Sequence, residues 1–573
     1  MFQEFLGGIG LGAALLSREI SPKTDPFSQD ARIIFVTGPL TGTMAPGSSR
    51  VSVNFKSPLT GIYGFSLTGG HFGAELKYAG YDAVILQGKS RSPTALVIDH
   101  GEPVFVNADS YWTMDTIETQ EAIHSDLGAD YEIACIGPAG ENLVKYANII
   151  FGRRAAGRCG SGAVLGSKNV KAIAVRGNES LELHDIRRFD ENVRTILEAV
   201  KKDQEMIDYR LYGTPSLVHT LNELGMLPTH NFQTGVFGDA DKIGGEHMRE
   251  KLVSGDSACF ACGVACGKVS SIRYGREVAV TEGPEYETIY ALGSNCGINS
   301  IHSIAVSDYV CDKMGMDTMT TGNVIAFLME CQERGLLEDR LQEFKLKFGE
   351  YSEVPETIET IARRKGIGSD LAEGVRHLSQ VVGQGSEDFA MHAKGLELGG
   401  YDPRGAKGEG LAMATSERGG CHHAGGYTMF PEVYSGKMDR FSSEGKGPLV
   451  RDARKKQLIF DSAIICVFYS GVVYLDAVAK LLQYATGHSF TSQSLQQAAE
   501  RISNVERIFN SATGIGRKDD TLPRRLTESP MPEGPCKGQR VDLNQMLDQF
   551  YDACGWDPIT AAPRRAAHSA SER

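Results

Sequence analysis

The chain has 573 residues, of which 41% are apolar and 23% charged, and its formal net charge is −13. A globular chain of this length exceeds one hydrophobic core, so two to four domains are expected. The acidic balance argues against a nucleic-acid partner. Because no stretch reaches 18 apolar residues and no export signal opens the sequence, we expect a cytoplasmic protein without a membrane partner.

Short strand-like runs fill the first third of the chain. Each run is rich in β-branched residues and ends at a turn residue, which is the pattern of a β-strand. Between Ala31 and Gly177 the runs are RIIFV, RVSVNF, DAVILQG, TALVID, PVFVNA, YEIACIG and KAIAVRG. This third is predicted to be a sheet-rich domain.

After about Leu183 the apolar spacing becomes helical, in DENVRTILEAVKKDQEMIDY, TTGNVIAFLMECQERG and SLQQAAERISNVERIFNSA. The sequence therefore predicts an α+β protein with a β-rich domain over residues 1–182 and two mostly helical domains over 183–392 and 393–573. The change of period supports the first boundary. A glycine-rich stretch from Gly395 to Gly426 is the only support for the second.

Three cysteines lie within eight residues in Cys259-Phe-Ala-Cys262-Gly-Val-Ala-Cys266. Cysteines of a cytoplasmic chain should stay reduced, as free thiols or metal ligands. The small residues between these three allow a tight turn around one iron–sulfur cluster. A zinc site is the main alternative, but structural zinc usually binds two spaced pairs of ligands, and no second pair follows.

A [4Fe–4S] cluster needs a fourth thiolate, and all remaining cysteines are candidates. Two segments share the form Asp-x-x-x-apolar-Asp/Cys, namely Asp312 to Asp317 and Asp461 to Cys466. This internal likeness favours Cys466 as the fourth ligand. By contrast, several other cysteines lie in apolar strand or helix patterns that are typical of buried thiols, namely Cys135, Cys311 and Cys331.

Glycine-rich loops at 37–50, 66–73 and 153–162 lie close to arginines in the sequence, namely Arg50, Arg153, Arg154 and Arg158. Backbone N–H groups and guanidinium groups of such loops can bind an anionic cofactor. Glu282-Gly-Pro-Glu285-Tyr-Glu287 and Cys421-His422-His423 also carry titratable groups. Taken alone, the first is typical of a solvated acidic loop, and adjacent histidines are more often incidental than catalytic.

Several segments closely resemble the aldehyde:ferredoxin oxidoreductase family, in the family's order from about Phe5 to Asp557. They include AAGRCGSGAVLGSKNVKAIAVRG, CFACGVAC, EGPEYETIYALGSNCGI, GYDPRGAKGEGLAMATSERGGCHH and RKDDTLPRR. The resemblance implies an N-terminal domain of two sheets that supports a tungsten or molybdenum bis-pterin, with two largely helical domains over it. The pterin sulfurs would bind the metal, and the protein would position it.

The resemblance also implies roles for individual residues. Pterin phosphates, bridged by Mg²⁺, would lie near Arg50, the turn at Leu67 to Gly69, and Ala156. Carboxylates of Asp312, Asp317 and Asp461 would accept pterin N–H bonds, and Cys466 would also bind the cluster. The family's acid/base positions fall on Glu287 and His422, with Tyr286 as a secondary donor. The expected partners are an aldehyde, ferredoxin or an electron-transfer subunit, and a second copy of the chain in a homo-oligomer.

Besides the absence of the usual strand before the F-L-G-G-x-G-L-G segment, three features depart from the family pattern. Ala424 stands where many members carry a lysine or arginine, and Ile464 stands where the second pterin motif usually has glycine. The only E-x-x-H runs from Glu121 to His124 in the sheet domain, so the bridging iron of some members is not expected. Two other functions are considered beside aldehyde oxidation: a class II benzoyl-CoA reductase-like catalytic subunit, and a non-catalytic cluster-binding scaffold.

Overall fold

The computed structural model describes residues 1–337 and 345–564. The first sheet is antiparallel, with strand order β3-β2-β1-β4. Its strands are β1 (Ile33–Val36), β2 (Val51–Lys56), β3 (Tyr63–Thr68) and β4 (Ala83–Leu86). Phe35 of the central strand pairs with Val53 on one side and Val84 on the other.

The second sheet has six strands in the order β6-β5-β10-β7-β8-β9, and only β5 and β10 run parallel. Its strands are β5 (Thr94–Asp99), β6 (Glu102–Asn107), β7 (Glu132–Cys135), β8 (Ile149–Phe151), β9 (Arg154–Ala156) and β10 (Val170–Arg176). The helices of this part are α1 (Phe2–Phe5), α2 (Gly8–Glu19), α3 (Phe72–Tyr78), α4 (Thr116–Leu127), α5 (Pro138–Glu141) and α6 (Ser161–Ser167). The expected sheet-rich N-terminal third is confirmed. The strands β3, β8 and β9 lie outside the predicted runs.

Helices dominate the rest of the chain, as expected. The middle of the chain contains α7 (Ile186–Lys202), α8 (Gln204–Tyr212), α9 (Leu217–Glu223), α10 (Gly245–Lys251), α11 (Tyr286–Leu292), α12 (Ile301–Met314), α13 (Thr318–Glu333), α14 (Val354–Ala362), α15 (Gly368–Leu371) and α16 (Val375–Val382). The C-terminal part contains α17 (Lys407–Thr415), α18 (His422–Gly426), α19 (Lys446–Ala463), α20 (Leu475–Thr486), α21 (Ser492–Ala512), α22 (Arg524–Thr527) and α23 (Leu543–Cys554). No helix in the described ranges is long and apolar enough to cross a membrane.

Two small sheets interrupt the helices, and the helical period of the sequence did not indicate them. One is antiparallel, with the order β11-β12-β13, and the other is a hairpin of two-residue strands. Their strands are β11 (Val253–Ser257), β12 (Gly267–Tyr274), β13 (Glu277–Glu282), β14 (His392–Ala393) and β15 (Leu396–Glu397). The predicted boundary at 392/393 falls within β14, and both domain boundaries stay predictions.

Both faces of the first sheet are buried, which explains the unbroken apolar run in β1. Successive side chains of a strand point to opposite faces. Ile33 and Phe35 join the large core shared with the second sheet and the helices of the middle of the chain. Ile34 and Val36 join a second core formed with α2, α7 and the C-terminal helices α19 to α21. The sheet thus lies between two cores, and its loops face residues from the C-terminal half.

Candidate active site

The three clustered cysteines lie in the loop that joins β11 to β12, at one end of the small sheet. Ala261 and Ala265 adopt left-handed conformations with φ of 51° and 55°. Residues without a branched side chain tolerate this backbone best, so the small residues of the motif permit the tight turn. The loop docks on the N-terminal domain, where Gly47 N–H donates to the Ala261 carbonyl at 3.2 Å and Phe260 N–H donates to the Gly70 carbonyl at 3.1 Å.

Gly69 explains how the first sheet approaches the cysteine loop so closely. A Cβ at this position would lie 2.7 Å from Cys259 Sγ, so a larger residue would clash with the thiol. Leu67 and Ala156, also expected at the pterin phosphates, are strand residues. Leu67 pairs with Ser52 within the sheet, and Ala156 is fully buried in β9.

Cys466 is distant in sequence from the cysteine loop, but Arg50 and Tyr469 connect the two. Arg50 Nη2 donates to Cys466 Sγ at 3.2 Å, and the Tyr469 hydroxyl lies 3.5 Å from Cys262 Sγ. Burial lowers the pKa of Arg50, but the charges of Cys466 and Asp461, followed by Cys259 and Cys266, raise it overall. Three of the predicted cluster cysteines therefore act on Arg50, and the fourth, Cys262, lies beside Tyr469.

The donor set of this site fits a cluster better than a single ion. Within the described ranges, no three Cys, His, Asp or Glu side chains form a group that could bind one metal ion directly. Arg50 instead donates to Cys466 Sγ and is also influenced by the charges of Cys259 and Cys266, and its positive charge suits the negative charge of a thiolate-bound iron–sulfur cluster.

Asp461 lies at the centre of a buried polar group next to Cys466. It is fully buried, and its Oδ2 lies 3.2 Å from His423 Nε2 and 2.8 Å from the donating Gln457 Nε2. Arg50 Nη1 is 3.7 Å from its Oδ1, which has no hydrogen-bond partner. Burial raises the pKa of Asp461, but the charges and hydrogen bonds of these neighbours lower it overall. Oδ1 is therefore an ionised acceptor available to a bound N–H group.

Of the two aspartates in the first segment, Asp317 is buried and Asp312 is partly buried. Asp317 caps α13, where its Oδ1 accepts from Met319 N–H at 3.0 Å. Its Oδ2 accepts from Thr320 at 2.8 Å and from Arg158 Nε at 3.3 Å. Burial and the charge of Glu282 raise the pKa of Asp312 to about 7, against a hydrogen bond from Thr281 that lowers it. This carboxyl therefore holds a proton more readily than Asp461 does.

Glu287 and His422 face each other, with 3.5 Å between Oε1 and Nε2. Glu287 lies in the first turn of α11, and its Oε2 accepts from Gly400 N–H at 2.9 Å. The adjacent Tyr286 is buried and donates its hydroxyl hydrogen to the Gly400 carbonyl. The three residues expected to act as acid, base and secondary donor are thus brought together around one glycine.

Burial moves the pKa values of Glu287 and His422 in opposite directions. Burial raises the pKa of Glu287 to about 7, although the Gly400 N–H and the charge of Arg158 lower it. Burial, followed by the positive charges of His423 and Arg158, lowers the pKa of His422 well below its usual value. Neither Glu287 Oε1 nor His422 Nδ1 has a hydrogen-bond partner. Glu287 can therefore gain or lose a proton at neutral pH while the imidazole stays neutral.

Sequence reasoning did not identify the walls of this site. A Cβ at Gly399 would lie 2.5 Å from His422 Nδ1, so this glycine makes room for the imidazole. The Tyr401 and Tyr427 rings contact His422, with centroid distances of 4.7 and 6.0 Å. The glycine-rich stretch was the available signal, but it was interpreted as a domain boundary.

The three departures from the family pattern lie in distinct places. Ala424 donates its N–H to Cys421 Sγ at 3.3 Å, beside the Glu287–His422 pair. Ile464 ends α19 with a left-handed φ of 64°. The Glu121 to His124 segment lies on α4, where His124 Nε2 contacts the Tyr131 carbonyl at 2.9 Å.

Two models of one enzyme family match nearly the whole chain. A model of the N-terminal domain of aldehyde ferredoxin oxidoreductase matches residues 1–177, and a model of domains 2 and 3 of the same enzyme matches residues 191–570. A tungsten-containing aldehyde ferredoxin oxidoreductase of Pyrococcus abyssi is 43% identical over 97% of this chain and 92% of its own length. The Pyrococcus furiosus protein of the same description is 41% identical over 98% and 93%.

A solved structure shares the fold. The active site complex of benzoyl coenzyme A reductase with 1,5-dienoyl-CoA has a TM-score of 0.83 at 23% identity, covering 98% of this chain and 92% of that one. The two family models together match most of the chain, and both relatives exceed 40% identity over nearly their full length. The chain therefore belongs to the aldehyde ferredoxin oxidoreductase family.

Proposed function

We propose that this chain oxidises aldehydes to carboxylic acids, with a tungsten bis-pterin as the redox centre and a [4Fe–4S] cluster that passes electrons to ferredoxin. The observation that carries the proposal is the Glu287–His422 pair, tuned near neutral pH and located near the polar group of Asp461, His423 and Arg50. The two Pyrococcus relatives are tungsten-containing aldehyde ferredoxin oxidoreductases, which supports the substrate, the metal and the acceptor.

The cluster would be bound by Cys259, Cys262, Cys266 and Cys466. Arg50 contacts Cys466 and Asp461 at once, so it would connect the cluster to one pterin. The unpartnered Asp461 Oδ1 supports its role as an acceptor for a pterin N–H. At the other pterin, Asp312 and Asp317 would take the corresponding positions. Phosphates and Mg²⁺ would lie near Arg50, Leu67, Gly69 and Ala156.

The bound metal would accept two electrons from the substrate, and the cluster would carry them away one at a time. The overall change is R-CHO + H₂O to R-COOH + 2 H⁺ + 2 e⁻. Glu287, with a pKa of about 7, would take a proton from the attacking water. Neutral His422 would hold the reacting oxygen through Nε2, and Tyr286 would fix the position of Gly400.

Metal analysis and steady-state kinetics test the proposal. Anaerobically purified protein should contain tungsten and about four irons per chain, and aldehydes should drive reduction of ferredoxin or a dye. Glu287→Gln should lower kcat by about 10²-fold or more and remove the activity limb that rises with pH near 7. Glu356→Gln, at an exposed position on α14, is the matched control. Iron without a heavy metal, or no aldehyde-dependent reduction by metal-loaded protein, would contradict the proposal.

A substrate screen would test the benzoyl-CoA reductase reaction against aldehyde oxidation. That likeness, at 23% identity, is one of fold. Benzoyl-CoA, 1,5-dienoyl-CoA and a set of aliphatic and aromatic aldehydes would be supplied to the same preparation with a matched redox dye. We expect turnover of aldehydes and none of the CoA thioesters.

A further inference from the structure

Two buried carboxyl groups lie on either side of one hydroxyl group, that of Thr428. Glu409 of α17 is 0% exposed, and Glu432 of the short helical turn at 430–434 is 1% exposed. Thr428 Oγ1 is 2.9 Å from Glu409 Oε2 and 2.9 Å from Glu432 Oε2. We call these three side chains the carboxyl bridge. None of the three has a role in the reaction proposed above.

The hydrogens available to the carboxyl bridge indicate that one of its carboxyl groups is protonated. A hydroxyl has one hydrogen to donate, whereas an ionised carboxylate can only accept. Thr428 can therefore donate to one of its two neighbours, and the other must supply a hydrogen of its own to Thr428 Oγ1. If both carboxyls were ionised, lone pairs of two buried oxygens would face each other at 2.9 Å, which is costly.

The contacts of each carboxyl group decide which one holds the proton. Glu432 Oε1 is 2.7 Å from Lys446 Nζ and accepts from Gly408 N–H at 2.8 Å, so Glu432 carries the negative charge. Glu409 Oε2 accepts from Thr428 N–H at 3.1 Å, and Glu409 Oε1 is buried without a hydrogen-bond partner in the described part of the chain. The proton therefore belongs to Glu409.

The titratable groups around Glu409 also favour its neutral form. Burial raises the pKa of Glu409 to about 8, against hydrogen bonds from Thr428 that lower it. The charges of Glu432 and Glu287 add to the rise. Burial raises the pKa of Tyr434 to about 12, with the charge of Glu409 among the smaller causes, so this hydroxyl stays neutral. Glu409 thus holds its proton at neutral pH and loses it at mildly alkaline pH.

The carboxyl bridge and α17 hold the segment that bears His422 at two points. A Cβ at Gly425 would lie 2.2 Å from the Ala412 carbonyl oxygen, so α18 packs directly on α17. Two residues beyond the end of α18, the bridge binds Thr428. The ring of Tyr427, its neighbour in sequence, contacts His422 with 6.0 Å between the centroids. A movement of Thr428 would therefore shift the imidazole.

We propose that the carboxyl bridge positions His422 while Glu409 is protonated, and that ionisation of Glu409 releases the segment 421–434 and lowers aldehyde oxidation at alkaline pH. This inference rests on the proposed function for the role of His422. Once Glu409 is ionised, two carboxylates compete for one hydroxyl hydrogen and repel each other. The outer side of the segment faces solvent, since Phe430 is 60% exposed. Glu409 is a positioning residue, because it acts through Thr428.

Activity of the holoenzyme as a function of pH tests this role. The kcat of the wild type should fall above about pH 8. Glu409→Gln should abolish the fall, because glutamine cannot ionise and its amide oxygen can still accept from Thr428 N–H. At pH 9 the wild type should be about tenfold slower than Glu409→Gln, since one unit above a pKa about one group in ten is protonated. An unchanged alkaline fall in Glu409→Gln would overturn the proposal. Glu356→Gln, exposed on α14, is the matched control and should keep the fall.

Removal of the shared hydroxyl tests the bridge itself. Thr428→Val keeps the shape of the side chain, and at pH 7 it should show the low kcat that the wild type shows at pH 9. Thr428→Ser should restore the activity, because it restores the hydroxyl. Thr357→Val is the control, since the buried Thr357 hydroxyl donates to the Glu353 carbonyl at the start of α14. Wild-type kcat in Thr428→Val at pH 7 would contradict a bridge through this hydroxyl.

A third measurement needs no aldehyde. Hydrogen–deuterium exchange of the holoenzyme, in peptides that cover 421–434, would be compared between the wild type and Glu409→Gln at the same pH. The two proteins should exchange alike at pH 6, and the wild type should exchange faster at pH 9, where its segment is released. Peptides of α14 should not differ. Equal exchange in 421–434 at pH 9 would overturn the release. Absence of aldehyde turnover would overturn the proposed function, and the exchange result would still decide whether Glu409 holds the segment.

Discussion

The segments Asp312–Asp317 and Asp461–Cys466 adopt the same backbone arrangement in two different parts of the molecule. In each, a long helix ends at a left-handed residue, Gly315 at φ 73° after α12 and Ile464 at φ 64° after α19. In each, the following N–H bonds back to a carbonyl five residues earlier at 2.9 Å. Helix ends commonly close in this way. The likeness seen in the sequence therefore reflects a repeated structure.

The last residue of each segment also has an equivalent partner. Asp317 pairs with Arg158, and Cys466 pairs with Arg50. Both arginines belong to the N-terminal domain, so each segment presents its last side chain to one arginine of that domain. The difference lies in chemistry. The first segment ends in a carboxylate that caps α13, and the second ends in a thiol beside the cysteine loop. One arrangement thus positions two kinds of ligand.

The largest expected effect comes from making the second segment resemble the first. Cys466→Asp keeps a side chain that Arg50 can bind, as Arg158 binds Asp317, so the protein should fold. It removes one cluster ligand, so iron should fall well below about four per chain and the visible absorbance of the cluster should be lost. Cys331→Ala, at a buried thiol far along α13, is the control and should keep its iron. Full iron content in Cys466→Asp would show that Cys466 is not a ligand.

The left-handed residue offers a second comparison. A Cβ at Gly315 would lie 2.8 Å from Gly137 N, whereas Gly335, at φ 68°, has nothing within 4 Å of its Cβ position. Gly335→Ala should lower the free energy of unfolding only by the cost of a left-handed backbone at alanine, about 1–2 kcal/mol. Gly315→Ala should lose at least twice as much, because it adds a clash with backbone. Thermal unfolding of both variants gives the measurement, and equal losses would contradict the close packing at Gly315.

The two aspartates should respond to pH in opposite directions. The folded-state pKa of Asp461 is lowered, so its stabilising contribution is present above its unfolded pKa and is lost as pH falls through the folded value. At pH 8, Asp461→Asn should cost about 3 kcal/mol, because Arg50 and His423 lose a buried anion.

For Asp312 the folded pKa is raised to about 7. The folded state then binds the extra proton, so stability falls as pH rises from the unfolded pKa to about 7. Asp312→Asn lacks this penalty and should gain stability relative to the wild type between pH 5 and 8. Unfolding temperatures of both asparagine variants at these two pH values would check the signs. A higher unfolding temperature for Asp461→Asn than for the wild type at pH 8 would contradict a stabilising, ionised Asp461.

The smallest expected effect concerns Ile464, the branched residue at the position equivalent to Gly315. A Cβ at Gly38 would lie 2.5 Å from Ile464 Cγ1, and one at Gly8 would lie 2.7 Å from its Cδ1. The absence of side chains at these two glycines makes room for the isoleucine. Gly38→Ala should therefore destabilise the wild type but be tolerated in Ile464→Gly. A double-mutant cycle should give a coupling of about 2 kcal/mol, and additive losses would contradict this packing.

Local signals in the sequence predicted part of the candidate site. The spacing of Cys259, Cys262 and Cys266 indicated a cluster loop, and the internal likeness indicated Cys466. The β-branched runs predicted most strands of the two N-terminal sheets, and the helical period predicted α7, α13 and α21. The sheet of β11 to β13 was missed, because its strands are polar and partly exposed and lack a continuous apolar run.

The sequence by itself determined the family, the α+β order of elements and the residue types at the candidate site. Only the tertiary structure decided which distant residues meet: His423 with Asp461, and Gly400 with Glu287. It also decided the proton affinities, since the same side chain has a raised pKa at Asp312 and a lowered one at Asp461. The physical reason is that burial and neighbouring charge set a pKa. Both depend on segments brought together by folding.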